Sequence, residues 1–227
     1  MKRTTTWLLL ASLIFTANKS DAQQKKPDQQ KRTTMTTTND VTKQTGLTNE
    51  EREYATKFLK ETEWVVYSSI KDLSQAQITF KPAADKWSVE ECVKHIAIAE
   101  ITLWTMVEQS LQQPANPDKR KEIKFTDQEL IKAVEDRSQK SKTFAALEPA
   151  NSPYKTLAEA LASFKENRHK LIAFVENTKE DLRNHVSVLL IGTYDAYQLI
   201  LLISAHTKRH AQQIKEVKAA IDFPKKP

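Results

Sequence analysis

The sequence predicts an all-α domain, a four-helix bundle with a long crossover between its second and third bundle helices, and three observations carry that prediction. Four S/T-x-x-E capping boxes stand ahead of apolar-periodic runs: Thr48 with Glu51, Ser88 with Glu91, Thr126 with Glu129, and Thr156 with Glu159. Each can satisfy two backbone amides that a helix leaves open at its start, so each marks a beginning. The chain of 227 residues holds only two glycines and no alternating apolar and polar run, which leaves little material for strands and hairpins. Punctuation of the type "KPAADKW", "QQPANPDKR" and "EPANSP" separates the periodic runs.

Taken in order, these signals place helices over residues 49–74, 89–112, 127–146, 157–178 and 194–221. The last start rests on "GTYD", where Gly192 ends a connector, Thr193 can cap and Asp195 suits the first turn of a helix. The third helix, "DQELIKAVEDRSQKSKTF", is polar with a thin apolar stripe of Leu130, Ile131 and Val134. That stripe suits a crossover better than a bundle core, and the other four helices then make the bundle.

Ahead of the domain, residues 1–22 read as a secretory signal peptide: Lys2 and Arg3, an apolar run from Trp7 to about Ala17, and small residues Ser20 and Ala22 at the cleavage position. The run is too short to span a membrane comfortably, and no later segment is uniformly apolar over such a length. The mature chain is therefore expected in an extracytoplasmic space, periplasmic or secreted, with no stable membrane span. Residues 23–47, rich in Gln, Thr and Lys, cannot repay their ordering entropy and read as a flexible linker. The domain itself covers residues 48–222.

The net charge of +6 is concentrated at the N-terminus. Residues 1–46 hold eight Lys/Arg against three Asp/Glu, so the remainder carries only +1. A duplex-binding domain needs a clustered basic face, so no nucleic-acid partner is expected. A single cysteine, Cys92, excludes an internal disulfide framework.

The chemistry of the sequence lies in its histidines. At helical spacing Leu199, Ile203, His206, His210, Val217 and Ile221 share one stripe of the last helix, so His206 and His210 face the core. Buried imidazoles need partners, at a cost of about 1–3 kcal/mol for each one left unpaired. An i, i+4 pair can hold two positions on one divalent ion, and the same spacing also serves structural and pH-responsive roles. Of the other histidines, His169 and His185 have polar surroundings and read as solvated. His95 lies on the flank of the second helix's stripe, beside Cys92, Ala99 and Met106, where it can line an interhelical cleft. Cys92 is open to two readings, a soft fourth ligand or a small buried apolar residue. Glu91 is accounted for by its cap, and Gln213 can hydrogen-bond a ligand imidazole as outer support. Glu166 with His169 matches half of a di-iron motif, but the second ExxH is missing.

Two fragments, "ITFKPAADKWSVEECVKHI" and "HTKRHAQQI", taken in this order, resemble the DinB-like superfamily. That group includes thiol-dependent S-transferases and the metal-binding part of mycothiol-dependent maleylpyruvate isomerase. The resemblance covers about residues 48–221. It implies a metal triad of His95, His206 and His210 around a divalent transition ion, zinc or nickel, with an open coordination position. The activity it implies is hydrolysis or thiol-group transfer on a small-molecule substrate of unstated identity. The residues themselves also admit a different class, a non-catalytic metal- or ligand-binding bundle. The oligomeric state is left open, a homodimer being one option.

Overall fold

The computed structural model describes residues 46–138 and 142–225. The leader expected over residues 1–22, and the expected linker from residue 23 through residue 45, lie outside the described residues. The chain enters the fold at Gly46, and Leu47, the last position given to the linker, is buried in the core. Among the described residues the α-helices and strands are α1 (Asn49–Ile70), α2 (Gln75–Thr79), α3 (Val89–Leu111), α4 (Asp127–Glu135), α5 (Leu157–Asn177), β1 (Val186–Leu189), β2 (Gly192–Asp195) and α6 (Ala196–Lys218), with short 3-10 turns in the segment between α3 and α5. No helix among the described residues is long and apolar enough to cross a membrane.

The four long helices form the bundle. Both α1 and α3 pack against α5 and α6, which sets α1 across one diagonal from α3 and α5 across the other from α6. Helix α1 runs parallel to α6: Tyr197, early in α6, donates to the Glu51 carbonyl, and Lys218, at the far end, donates to the Ser69 carbonyl. Helix α5 runs the opposite way, since Arg52 donates to the Val175 and Thr178 carbonyls. Helix α3 follows α5, with Val93 and Ala160 in one core cluster near their starts and Val107 and Val175 in another near their ends. Because α3 and α5 are parallel, the chain leaving α3 must travel the length of the bundle before α5 can begin. Residues 112–156 make that crossover, as the sequence predicts.

Starts were legible and ends less so. Thr48, Ser88 and Thr126 form complete capping boxes, whereas Glu159 caps with its amide on Thr156 and turns its carboxylate to the Lys155 amide instead. The first helix stops at Ile70 rather than at residue 74 because Asp72 takes a left-handed conformation, φ 59°. Ser74 and Gln77 then form a further box that starts α2. The third helix stops at Glu135 rather than at residue 146. Asp136 accepts hydrogen bonds from the Ser138 amide and hydroxyl at 2.8 and 3.0 Å, and residues 135–143 carry no apolar side chain to bury. Short as it is, α4 lies along α6 and buries Leu130 and Ile131. The last helix ends at Lys218, so Ile221, expected in its core stripe, is 98% exposed.

A small hairpin accompanies the all-α bundle. Strands β1 and β2 pair antiparallel from Val186 with Asp195 to Leu189 with Gly192, around a two-residue loop lacking the Asn or Gly that usually announces one. Residues 194 and 195, expected to be helical, complete β2, and the Asp195 side chain caps α6 through the Gln198 amide. Gly192 sits at φ 136°, and a Cβ there would meet the Tyr194 hydroxyl at 2.6 Å. Asn116, in the crossover, bonds both the amide and the carbonyl of Val186, which fastens the hairpin to the end of the bundle.

The apolar core has two parts. One gathers Leu59, Leu103, Leu171 and Ile203, the other Val66, Val93, Ile96, Phe164 and Ile214, each side chain stabilising the fold by about 1.5–3 kcal/mol. Between them lies a buried polar layer of Thr62, Glu100, Arg168 and Thr207, one residue from each bundle helix. The three core histidines stand beside this layer.

Candidate metal centre

The inward side of α6 and the facing side of α3 bring the histidines together. His206 and His210 lie one turn apart on α6 with their Nε2 atoms 3.1 Å apart, and His95 Nε2 comes within 3.2 Å of His206 Nε2. One nitrogen from each ring fits within a span of 4.8 Å. His95 and His210 are buried, and His206 is partly exposed. The expected flank position of His95 is therefore deeper than its helical angle suggested, at 1% exposure.

The hydrogen bonds fix which nitrogen of two rings is free. His95 Nδ1 donates to the Leu147 carbonyl at 2.8 Å, and His210 Nδ1 donates to Gln213 Oε1 at 2.9 Å. Both oxygens only accept, so both rings carry their proton on Nδ1 and present a bare Nε2. His206 can donate a proton to one of these lone pairs, never to both. The donor set thus leaves a buried lone pair unmatched, at about 1–3 kcal/mol, and a divalent cation would satisfy all three nitrogens together. Their separations suit one: nitrogens about 2.0–2.1 Å from a tetrahedral ion stand roughly 3.3 Å apart.

Electrostatics keep the rings neutral, the form that binds metal. Burial pushes His95 below the ordinary imidazole range, against the opposing effect of the Leu147 carbonyl. His206 is pushed down to about 3, by burial first and then by the neighbouring His95 and Arg209. His210 lies well below the usual range, again through burial first, with His206 and His95 adding to it. Trp87, just ahead of the α3 cap, stacks on His210 with ring centroids 5.8 Å apart and lies 4.9 Å from the His95 ring. It forms an aromatic wall over these two rings.

The remaining candidates fall elsewhere. Cys92 sits fully buried in the apolar cluster with Val93, Ile96 and Phe164, its thiol pushed up by burial, so the apolar reading holds. Glu91 caps α3 and pairs with Lys81 at 3.0 Å. His169 is exposed and lies 3.1 Å from Glu63, while Glu166 pairs with Lys170. His185, read as solvated, is instead partly buried with Nδ1 3.0 Å from the Ser110 carbonyl. Gln213 stands where the sequence suggested, against His210. The Leu147 carbonyl was not foreseeable, since a backbone acceptor brought from the crossover leaves no mark in the side-chain pattern.

The sequence profile of the DinB superfamily matches residues 59–214, a span that contains all three histidines and the whole polar layer. The chain belongs to the DinB superfamily. The chain is also 26% identical over 157 residues to the uncharacterized protein YuaE of Bacillus subtilis strain 168, covering 69% of this chain and 92% of that protein. Among solved structures it is similar to YfiT from Bacillus subtilis, described as "a probable metal-dependent hydrolase with an unusual four-helix bundle topology". The TM-score is 0.54 at 13% identity, over 79% of this chain and 92% of YfiT. At that identity the likeness concerns the fold alone, a four-helix bundle in both.

Proposed function

We propose that this DinB-superfamily chain is a metal-dependent hydrolase, or a group transferase with a thiol as acceptor, working on a small molecule at an open three-histidine centre of His95, His206 and His210. The observation that carries this reading is the convergence of three neutral imidazole nitrogens, two of them turned inward by Leu147 and Gln213. Zinc or nickel bound there supplies a Lewis acid that lowers the pKa of a coordinated water or thiol. The Leu147 carbonyl and Gln213 hold two ligand rings in the binding tautomer. Trp87 shields His95 and His210 from water, and the partly exposed His206 marks the side from which a substrate enters. The description of YfiT as a probable metal-dependent hydrolase supports the same reading. A leader over residues 1–22, as the sequence suggests, would export the mature chain and so favours hydrolysis over transfer to a cytosolic thiol.

Metal analysis of untagged protein tests the centre, with about one divalent ion per chain expected. His95→Ala and His210→Ala each lower occupancy, and His169→Ala leaves it unchanged. Occupancy that survives His95→Ala but not His210→Ala defeats the three-histidine centre. Turnover is read on a panel of ester, amide and phosphoester substrates, abolished by a chelator and restored by zinc or nickel. Bound metal without chelator-sensitive turnover on any of them instead identifies a non-catalytic metal-binding bundle.

A further inference from the structure

The polar layer beside the histidines is built around one arginine. Arg168 and Glu100 are 0% and 1% exposed, paired through Nε to Oε1 at 2.6 Å and Nη2 to Oε2 at 2.7 Å. Arg168 Nη1 donates to the Leu59 carbonyl and to Thr62 Oγ1, both at 2.7 Å, and Nη2 donates to Thr207 Oγ1 at 3.0 Å. The five guanidinium N–H groups therefore all have acceptors. Phe164 lies beneath the guanidinium, 4.9 Å from its carbon to the ring centre. The acceptors come from α1, α3 and α6, and the arginine from α5.

Stability alone does not account for this arrangement. Taking two ions out of water costs several kcal/mol each, and a well-packed apolar pair of similar volume is often as stable or more so. What an apolar pair lacks is direction. Leucine against methionine tolerates a shift along or about a helix axis, whereas five hydrogen bonds to fixed acceptors do not. The helices so fixed include the two that carry the histidines: Glu100 lies on α3 with His95, and Thr207 follows His206 directly on α6.

We propose that Arg168 is a positioning residue for the metal centre, setting the register of α3 against α6 in which His95 meets His206 and His210. This rests on the three-histidine reading. The hydrogen bonds set where the rings stand, and the apolar clusters on either side supply the stability.

The test is titration of the full chain with Co²⁺, following affinity and the visible d–d absorption, alongside thermal unfolding without metal. The double variant Arg168→Met/Glu100→Leu is expected to melt at or above the wild-type temperature yet bind Co²⁺ about tenfold more weakly, with an altered d–d band. A folded double variant with wild-type affinity and spectrum overturns the proposal. If that variant does not fold, Thr207→Val decides, because it removes only the hydroxyl beside His206. Weaker binding that Thr207→Ser restores supports the proposal, and any other pattern overturns it. Wild-type protein that shows neither Co²⁺ affinity nor the band removes the three-histidine reading itself, and the positioning role with it.

Discussion

Arg168 and Arg183 hold this bundle together by the same chemistry in opposite surroundings. Arg168 is fully buried with a single carboxylate, and its other acceptors are neutral. Arg183 sits at the end of the bundle with its side chain 22% exposed, against Glu51, Asp127 and Asp195 at 2.6–3.1 Å and over the Tyr197 ring at 4.1 Å. Those three carboxylates stand in the first turn of α1, the first turn of α4 and the N-cap of α6, where helix dipoles favour negative charge. Burial pulls the Arg183 guanidinium down, and the carboxylates more than reverse this, holding it above its ordinary range. At the water's edge three helix starts can therefore share one cation. In the interior, charge must balance one for one, and every remaining donor must find a neutral acceptor.

Breaking the two sites separately exposes the difference. Arg168→Met alone should cost about 3–5 kcal/mol in denaturant unfolding, because Glu100 is left as an uncompensated buried charge. A loss below about 1 kcal/mol would mean that water reaches the layer. Arg183→Met should cost less, about 1–3 kcal/mol, since Glu51 and Asp127 are partly exposed to water and the buried Asp195 keeps the Gln198 amide and Arg120 as partners. Molar NaCl, where the screening length is about 3 Å, should shrink the Arg183→Met penalty and leave that of Arg168→Met unchanged. Equal salt dependence would erase the distinction. As the exposed limit of the series, Lys60→Ala removes the Lys60–Glu176 pair, 56% and 41% exposed, and should shift stability by no more than about 1 kcal/mol.

The contrast also shows what the sequence could disclose. Helix starts were readable because a cap is a local pairing of side chain with backbone, as at Ser88 and Glu91. Helix ends were not, because they depend on a backbone turn at Asp72 or a local competitor such as Asp136. The β1–β2 hairpin escaped notice because Leu190 and Ile191 carry no turn signature. His206 and His210 announced themselves by standing among aliphatic residues, and His95 joined them through a family resemblance. Arg168 offered the same kind of clue: with Phe164, Leu171 and Val175 it marks one helical stripe, a cation in a core position. Its partner Glu100 holds the corresponding place between Ile96 and Leu103.

The diagonal placement of consecutive helices has a kinetic consequence. Helix α1 packs against α5 and α6 and not alongside α3, so α1 and α3 form no helical hairpin able to condense by itself. Every bundle contact closes a long loop, and the entropy of closure falls due before packing offsets it, a pattern that slows folding relative to an up-and-down bundle of equal size. The chain emerging from the ribosome gains a second wall for α1 only when α5 is complete, and its core only with α6, the last helix made. His95 waits through that whole interval for His206 and His210, so the three imidazoles converge only in the final step of assembly.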